Sequence, residues 1–291
     1  MAEDFLNDYR VNGRRSLDVA QRRVKKHLAR FFAGKRAHDI TTADIKSFIA
    51  KRQEEQASNG EVSLELAALR RMYNLALQAE KIIRKPYIPT LKLHNARQGF
   101  FEAWEFAKIL PKLPEELRAP IIFAYWTGWR LKDEVFQITW QQIDLEAGTV
   151  RLEVNTTKND DGRLFFLPSD LRALLEQQWA DHLSHWPDCL FVFHRNGKRI
   201  KDIRGSWQRA CKESEIVAKI PHDFRRTAVR NMVRAGIPER VAMQICGHKT
   251  RSVFDRYHIV SEGDLREAAQ KLSRAFSFFD GHNFGHNPVS G

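Results

Sequence analysis

PHDFRRTAVRNMVRAGIPERVAMQICGHKTRSVFDRYH, residues 221–258, organises the reading of the whole chain. Two helical segments lie in it, over 222–235 and 238–246. The first closes near Gly236. The second has Pro238 at its start and Gly247 at its end, the usual asymmetry of helix termini: proline gives up an amide that no carbonyl needed, and glycine turns the chain left-handed. His222 and Arg225 stand three apart and share one helix face, and both can donate to a phosphate oxygen. Gly247-His248 falls at a helix end, and Tyr257, one of five tyrosines, follows nine residues after the histidine. Each residue alone has an ordinary reading: a histidine near a helix start is usually a cap or core group, and a tyrosine near Phe254 is usually packing. The segment 219–256 nonetheless holds nine basic and three acidic side chains, the clustering that phosphate binding requires.

Working outward, the positive charge is uneven. The chain of 291 residues has a formal net charge of +12, which suggests a polyanionic partner. Residues 1–98 hold 20 Lys and Arg against 11 Asp and Glu, while the remaining 193 hold 28 against 25. Residues 1–85 read as helical. Leu17, Val24, Leu28 and Phe32 keep near-helical spacing, with Arg22, Arg23, Lys25 and Lys26 largely on other faces. Thr41 or Thr42 caps the next helix, Asn59-Gly60 ends it, and Ser63 caps a third whose apolar stripe is Leu66, Leu69, Met72, Tyr73 and Ala76. Pro86 and Pro89 stop that helix, so 86–99 reads as a linker. Beyond it, helices and strands mix. Residues 148–154 alternate as a strand, Asp161-Gly162 marks a turn, and LFFLP returns as a second strand. LFVF (190–193) reads as a third. Ser261 with Asp264 resembles a capping box for a last helix, and 276–291 is a tail rich in Gly, Asn and His.

Several chemistries find no support. There is no Walker loop, no HExxH and no GxSxG. Asp133, Glu134, Asp144, Asp160 and Asp161 show no spacing that gathers them round metal ions. Cys189, Cys211 and Cys246 form no CxxC pair, so neither a disulfide framework nor a zinc site is indicated. A reducing cytoplasm fits, and no apolar run approaches the roughly 18 residues of a membrane span.

Taken together, His222-Asp223-Phe224-Arg225, Gly247-His248 and Tyr257 resemble the tyrosine recombinases, or phage integrases, whose pattern is HxxR, then GH, then a tyrosine nine residues after the histidine. Thr127-Gly128-Trp129-Arg130 matches the family's TGxR, read as opening a helix, and Lys158 lies in the hairpin where the family carries a lysine. The resemblance implies a mainly α fold with a small β-sheet. Residues 1–85 would be a helical core-binding domain, 100–275 the catalytic domain and 276–291 a tail. It also implies an acidic residue after the first arginine. Position alone gives Asp133, while the downstream apolar pattern (Val135, Ile138, Trp140) favours Glu134. The extra N-terminal domain of many phage integrases is not seen.

The implied chemistry follows from charge. Attack on a phosphodiester builds negative charge on its non-bridging oxygens, so catalysis is largely positioning and electrostatics. Arg130 and Arg225 offer always-charged forks that fit phosphate, with His222 and His248 as further donors. Tyr257, with an ordinary pKa of about 10, would be the nucleophile. His222 would be its base and Lys158 the acid for the leaving 5′-hydroxyl. No cofactor or metal is implied, because the phosphotyrosine keeps the bond energy for rejoining. The implied partners are double-stranded DNA at an inverted-repeat core site, three further copies in a tetramer, and accessory DNA-bending proteins. The natural event would be integration or excision of a mobile element. A type IB topoisomerase and a DNA-binding regulator without catalysis are the alternatives.

Overall fold

The computed structural model describes residues 1–14, 16–93, 99–153, 162–216, 219–255 and 262–276, and the chain divides into two compact units, 1–97 and 98–291. Lys158, Tyr257, Asp161 of the Asp161-Gly162 turn signal, Ser261 and nearly all of the tail lie outside the described residues.

The first unit is helical. α1 (Ala2–Val11) leads to α2 (Leu17–Arg23), which passes through a π-helical turn, Val24–Leu28, into α3 (Ala29–Phe31). That extra residue per turn leaves Val24, Leu28 and Phe32 buried, while Arg22, Lys25, Lys26 and Arg30 are exposed. α4 (Thr42–Glu54) starts from Thr41, whose hydroxyl accepts from the Asp44 amide while the Asp44 carboxylate accepts from the Thr41 amide. This reciprocal box satisfies two amides that the first turn cannot. α5 (Asn59–Gln78) starts in the same way, from Ser58 and Glu61. The sequence reading is corrected here: Asn59-Gly60 opens α5 rather than ending α4, and Ser63 lies inside the helix. Ser58-x-x-Glu61 is the stronger stop-and-start signal because both of its side chains bond. α5 buries Val62, Leu66, Leu69, Met72 and Tyr73 against Phe5, Ile45 and Phe48. Tyr73 donates to the Ala37 carbonyl at 2.9 Å.

The second unit begins with α6 (Ala103–Ile109) and α7 (Glu115–Thr127). β1 (Ile143–Asp144), β2 (Thr149–Leu152) and β3 (Arg163–Phe166) make an antiparallel sheet in that order, with Val150 opposite Phe165 and Leu152 opposite Arg163. α8 (Ser169–His185) follows, then the short pair β4 (His194–Arg195) and β5 (Lys198–Arg199). The strand expected at 190–193 is thus shifted to 194–195, with only a single bridge from Phe191 to Thr139 before it. α9 (Arg204–Glu213), α10 (Asp223–Arg234), α11 (Glu239–Cys246), α12 (Arg251–Phe254) and α13 (Glu262–Ala275) complete the unit. The architecture is mainly α with a small antiparallel sheet. Its core gathers Phe101, Ile121, Phe123, Trp129, Phe136, Val150, Phe165, Trp207 and Phe224. A smaller cluster of Ala228, Val229, Met232, Ala242, Cys246 and Phe254 joins α10, α11 and α12. No helix among the described residues is long and apolar enough to cross a membrane.

The core also fixes α10. Phe101 donates its amide to Thr227 Oγ1 at 2.8 Å, and Arg230 donates to the Phe101 carbonyl at 2.9 Å and to Glu102 at 2.5 Å. The helix that carries HxxR is therefore held to the start of the unit by bonds as well as by packing.

Candidate active site

Three segments distant in sequence meet at α10. The first is Thr127-Gly128-Trp129-Arg130, which closes α7 rather than opening a helix. Gly128 takes the left-handed conformation at φ +68°, and a Cβ there would lie 3.0 Å from both Ala228 Cβ and Cys246 Sγ. Glycine is thus required twice over, for the turn and for the close approach of α10 and α11. The chain then makes tight turns into a 3₁₀ turn at Val135–Gln137. This corrects the expected helix opening: the left-handed exit after Thr127 and the bonds from Glu134 hold the next residues in turns.

Those turns wrap Arg130 around Glu134. Glu134 Oε2 accepts from the Arg130 backbone amide at 2.7 Å, and Oε1 accepts from Arg130 Nη1 at 2.7 Å. Glu134 is 1% exposed, while Asp133 points to solvent. The acid that meets Arg130 is therefore Glu134. Guanidinium has five N–H donors, and Glu134 takes one. Arg130 keeps 22% of its side chain exposed, so it can still face a ligand.

The second segment is HxxR. His222 sits at the N-terminal edge of α10 and keeps part of its surface exposed, whereas Arg225 is buried. Arg225 Nη1 donates to the Gly128 carbonyl at 2.8 Å, Nη2 to the Gly247 carbonyl at 3.2 Å, and Nε to His248 Nε2 at 3.0 Å. Among the described residues no carboxylate pairs with it directly. Burial, and then the nearby Arg130 and Arg163, lower its pKa to about 10, with Glu134 pulling the other way. It stays cationic at neutral pH, with two carbonyl oxygens and an imidazole nitrogen as its acceptors.

The third segment is Gly247-His248 at the end of α11. Gly247 is left-handed at φ +70°. His248 Nε2 accepts from Arg225, so the ring is neutral with its proton on Nδ1. Burial, then Arg225, Arg130 and Arg163, push its pKa down to about 3. His222 is shifted the same way by partial burial, Arg225 and Arg130. Burial first, and the neighbouring arginines after it, favour the neutral form of both imidazoles. The arrangement suits an anion bound against Arg130 with neutral imidazoles beside it.

The structure brings Arg130, Glu134, His222, Arg225 and His248 into one neighbourhood. Lys158 and Tyr257 lie outside the described residues. Among the described residues no three His, Cys, Asp or Glu side chains are grouped to hold a metal ion. Sequence reading passed over Arg163, which is buried under the site with its Nη2 2.6 Å from Glu134 Oε1. A signal for it existed. In β3 the inward positions are Arg163 and Phe165, and an arginine at an inward strand position asks for a buried partner.

Comparison with known proteins agrees with this geometry. The model of the Phage integrase family matches residues 101–263. The integrase of Salmonella phage P22 is 24% identical over 302 residues, covering 90% of this chain and 76% of that protein. The tyrosine recombinase XerD of Shewanella oneidensis is 27% identical over 274 residues, covering 87% and 88%. Among solved structures, a lambda integrase tetramer bound to a Holliday junction shares the fold with a TM-score of 0.70 at 18% identity, covering 88% of this chain and 77% of that one. The family match spans more than half of the chain and takes in the whole constellation from Arg130 to His248, and on these grounds the chain belongs to the phage integrase family, the tyrosine-type site-specific recombinases.

Proposed function

We propose that this recombinase cuts and rejoins double-stranded DNA at an inverted-repeat core site through a 3′-phosphotyrosine at Tyr257, in the integration or excision of a mobile element. Arg130 and Arg225 hold the scissile phosphate and stabilise the charge that builds on its non-bridging oxygens. His248 donates through Nδ1–H. His222 accepts the Tyr257 proton, as a neutral imidazole can, and Lys158 protonates the leaving 5′-hydroxyl. The tyrosyl ester keeps the phosphodiester bond energy, so a second 5′-hydroxyl rejoins the strand without ATP, and the arginines supply the positive charge that a metal supplies elsewhere.

The observation that carries this reading is the contact of Arg225 Nε with His248 Nε2 at 3.0 Å, next to an Arg130 held in place by Glu134. A cationic pocket of this kind has no structural purpose of its own, since hydrophobic replacements would be at least as stable. The likeness to the P22 integrase supports the mobile-element role, and the lambda tetramer on its junction supports four copies acting on two duplexes. The exposed Arg22, Lys25, Lys26 and Arg30 suit phosphate contacts by the first unit as a core-binding domain. The place of work is the cytoplasm, where the DNA is, with bending proteins as accessory partners.

The test is to incubate wild type and Tyr257→Phe with fragmented source DNA, with chelator and without magnesium. SDS-resistant complexes are then recovered and their 3′ ends sequenced. Adducts made by wild type alone and clustered at one short inverted repeat are expected. Scattered adducts would point to a topoisomerase, and salt-sensitive binding with no adduct would point to a regulator.

A further inference from the structure

We infer that Arg163 is a positioning residue of this site, a buried clamp that fixes Arg130 through Glu134 and His248 through the end of α11. The inference rests on the proposed assignment of Arg130 and His248 to the scissile phosphate.

Arg163 uses each part of its guanidinium on a different piece of the site. Nη2 forms an ion pair with Glu134 Oε1 at 2.6 Å, the same oxygen that accepts from Arg130 Nη1. Nη1 donates to the Cys246 carbonyl at 3.1 Å, one of the last carbonyls of α11 that the helix itself leaves unpaired. The flat face lies over the Trp129 ring, 4.9 Å from its centroid, and Trp129 Nε1 donates to the neighbouring Ile245 carbonyl at 2.8 Å. Gly247 packs directly on the same group: a Cβ there would come within 2.7 Å of Arg163 Nη1 and 2.8 Å of Cζ. The TGxR turn, the sheet and the GH turn are therefore joined at one side chain.

Its two terminal nitrogens and its flat face are taken up by Glu134, the Cys246 carbonyl and Trp129, so Arg163 acts through its neighbours rather than on phosphate. Geometry explains why lysine is a poor replacement. A single ammonium cannot bridge Glu134 and the Cys246 carbonyl while stacking on Trp129, whereas a planar fork does all three. Electrostatics points the same way. Glu134 carries one negative charge against Arg130 and Arg163. Without Arg163 it would bind Arg130 alone, and the neutralised arginine would hold an incoming phosphate less strongly.

Displacing a phosphate-holding group by about 1 Å costs roughly 100-fold in rate. The experiment compares wild type, Arg163→Met, Arg163→Lys and Arg130→Ala on the duplex recovered by adduct mapping. It records duplex affinity together with the rate constant and final amplitude of SDS-resistant adduct in a single turnover. The expected result is a rate constant about 100-fold lower in Arg163→Met and about 10-fold lower in Arg163→Lys, with duplex affinity within about threefold of wild type. A purely structural role would lower the amplitude and leave the rate constant of the folded fraction intact, and that outcome overturns the proposal. If Arg163→Met does not fold, Arg163→Lys decides alone, and a wild-type rate constant in it overturns the proposal. Arg130→Ala separates the two levels: a wild-type rate in that variant removes the proposed function, whatever Arg163 does. A second measurement needs no DNA. With imidazole-¹⁵N-labelled protein and His248→Gln to assign the signals, His248 should show its proton on Nδ1 in wild type and lose that single tautomer in Arg163→Met. Identical His248 spectra in the two proteins overturn the clamp.

Discussion

Arg52 in the first unit and Arg225 in the second are both buried, and they are held in opposite ways. In the first, Arg52 Nε and Nη2 meet both oxygens of Glu65 at 3.0 Å each, and Nη1 reaches Glu55. These bonds raise the arginine pKa despite its burial. In the second, Arg225 meets two carbonyls and an imidazole, and burial lowers its pKa. The first pair is a charge already answered inside the protein. The second is a charge placed on carbonyl oxygens and left able to attract an anion from outside. Burial alone does not separate a structural arginine from a functional one; what accepts its hydrogen bonds does.

The comparison can be broken most directly with Arg225→Met. Adduct formation should fall by roughly 1000-fold, the size of losing a preorganised oxyanion donor. Stability measured by urea unfolding should move by no more than about 1 kcal/mol, because relief of a buried charge offsets the lost donors to three acceptors. A large loss of stability with normal cleavage would make Arg225 another Arg52. The mirror experiment is Arg52→Met. It strands Glu65, 2% exposed, and should cost about 3 kcal/mol, read as a lower urea midpoint for the full chain.

Acid sharpens the contrast further. The His248 pKa is pushed down to about 3 and that of His222 is also lowered. Unfolding frees both imidazoles to take protons near their ordinary pKa of about 6.5. Their contribution to stability is therefore complete above that value and drains away as pH falls through it toward the folded values. The urea midpoint should decline between about pH 7 and 5, and His248→Gln should flatten part of that slope. Equal slopes in the two proteins would place the acid sensitivity outside the arginine site. The smallest effect belongs to the caps. Ser58→Ala should cost about 1 kcal/mol. Ser63→Ala should cost less, because the buried Ser63 hydroxyl has no hydrogen-bond partner among the described residues.

That last pair also shows where the sequence could be read and where it could not. HxxR and GH were legible because their helices carry local punctuation: Gly236 closes the first, and Pro238 and Gly247 bound the second. Lys158 and Tyr257 were equally legible as motif positions and lie outside the described residues. Between Asp133 and Glu134 the i, i+3 count misleads, because the turns after Gly128 break the helical period on which it depends, while the downstream apolar pattern favours Glu134. Geometry resolves it through two bonds of 2.7 Å from Arg130 to Glu134. The cap of α5 was misread because Asn59-Gly60 looks like a helix stop until Glu61 is seen to bond back to Ser58. Arg163 was missed because its partners, Glu134 and Cys246, are 29 and 83 residues away; strand alternation marks it as inward-facing but does not say what it meets.

Cys246 has a practical consequence. Its thiol is buried against the turn at Gly128 and its pKa is pushed up to about 11, burial being the main cause. A thiolate is what alkylating reagents capture, so the closed site leaves this sulfur almost inert. Its labelling rate therefore keeps time for the opening of the arginine site. A native sulfur atom thus serves as a chemical stopwatch for the arginine site, with no residue changed.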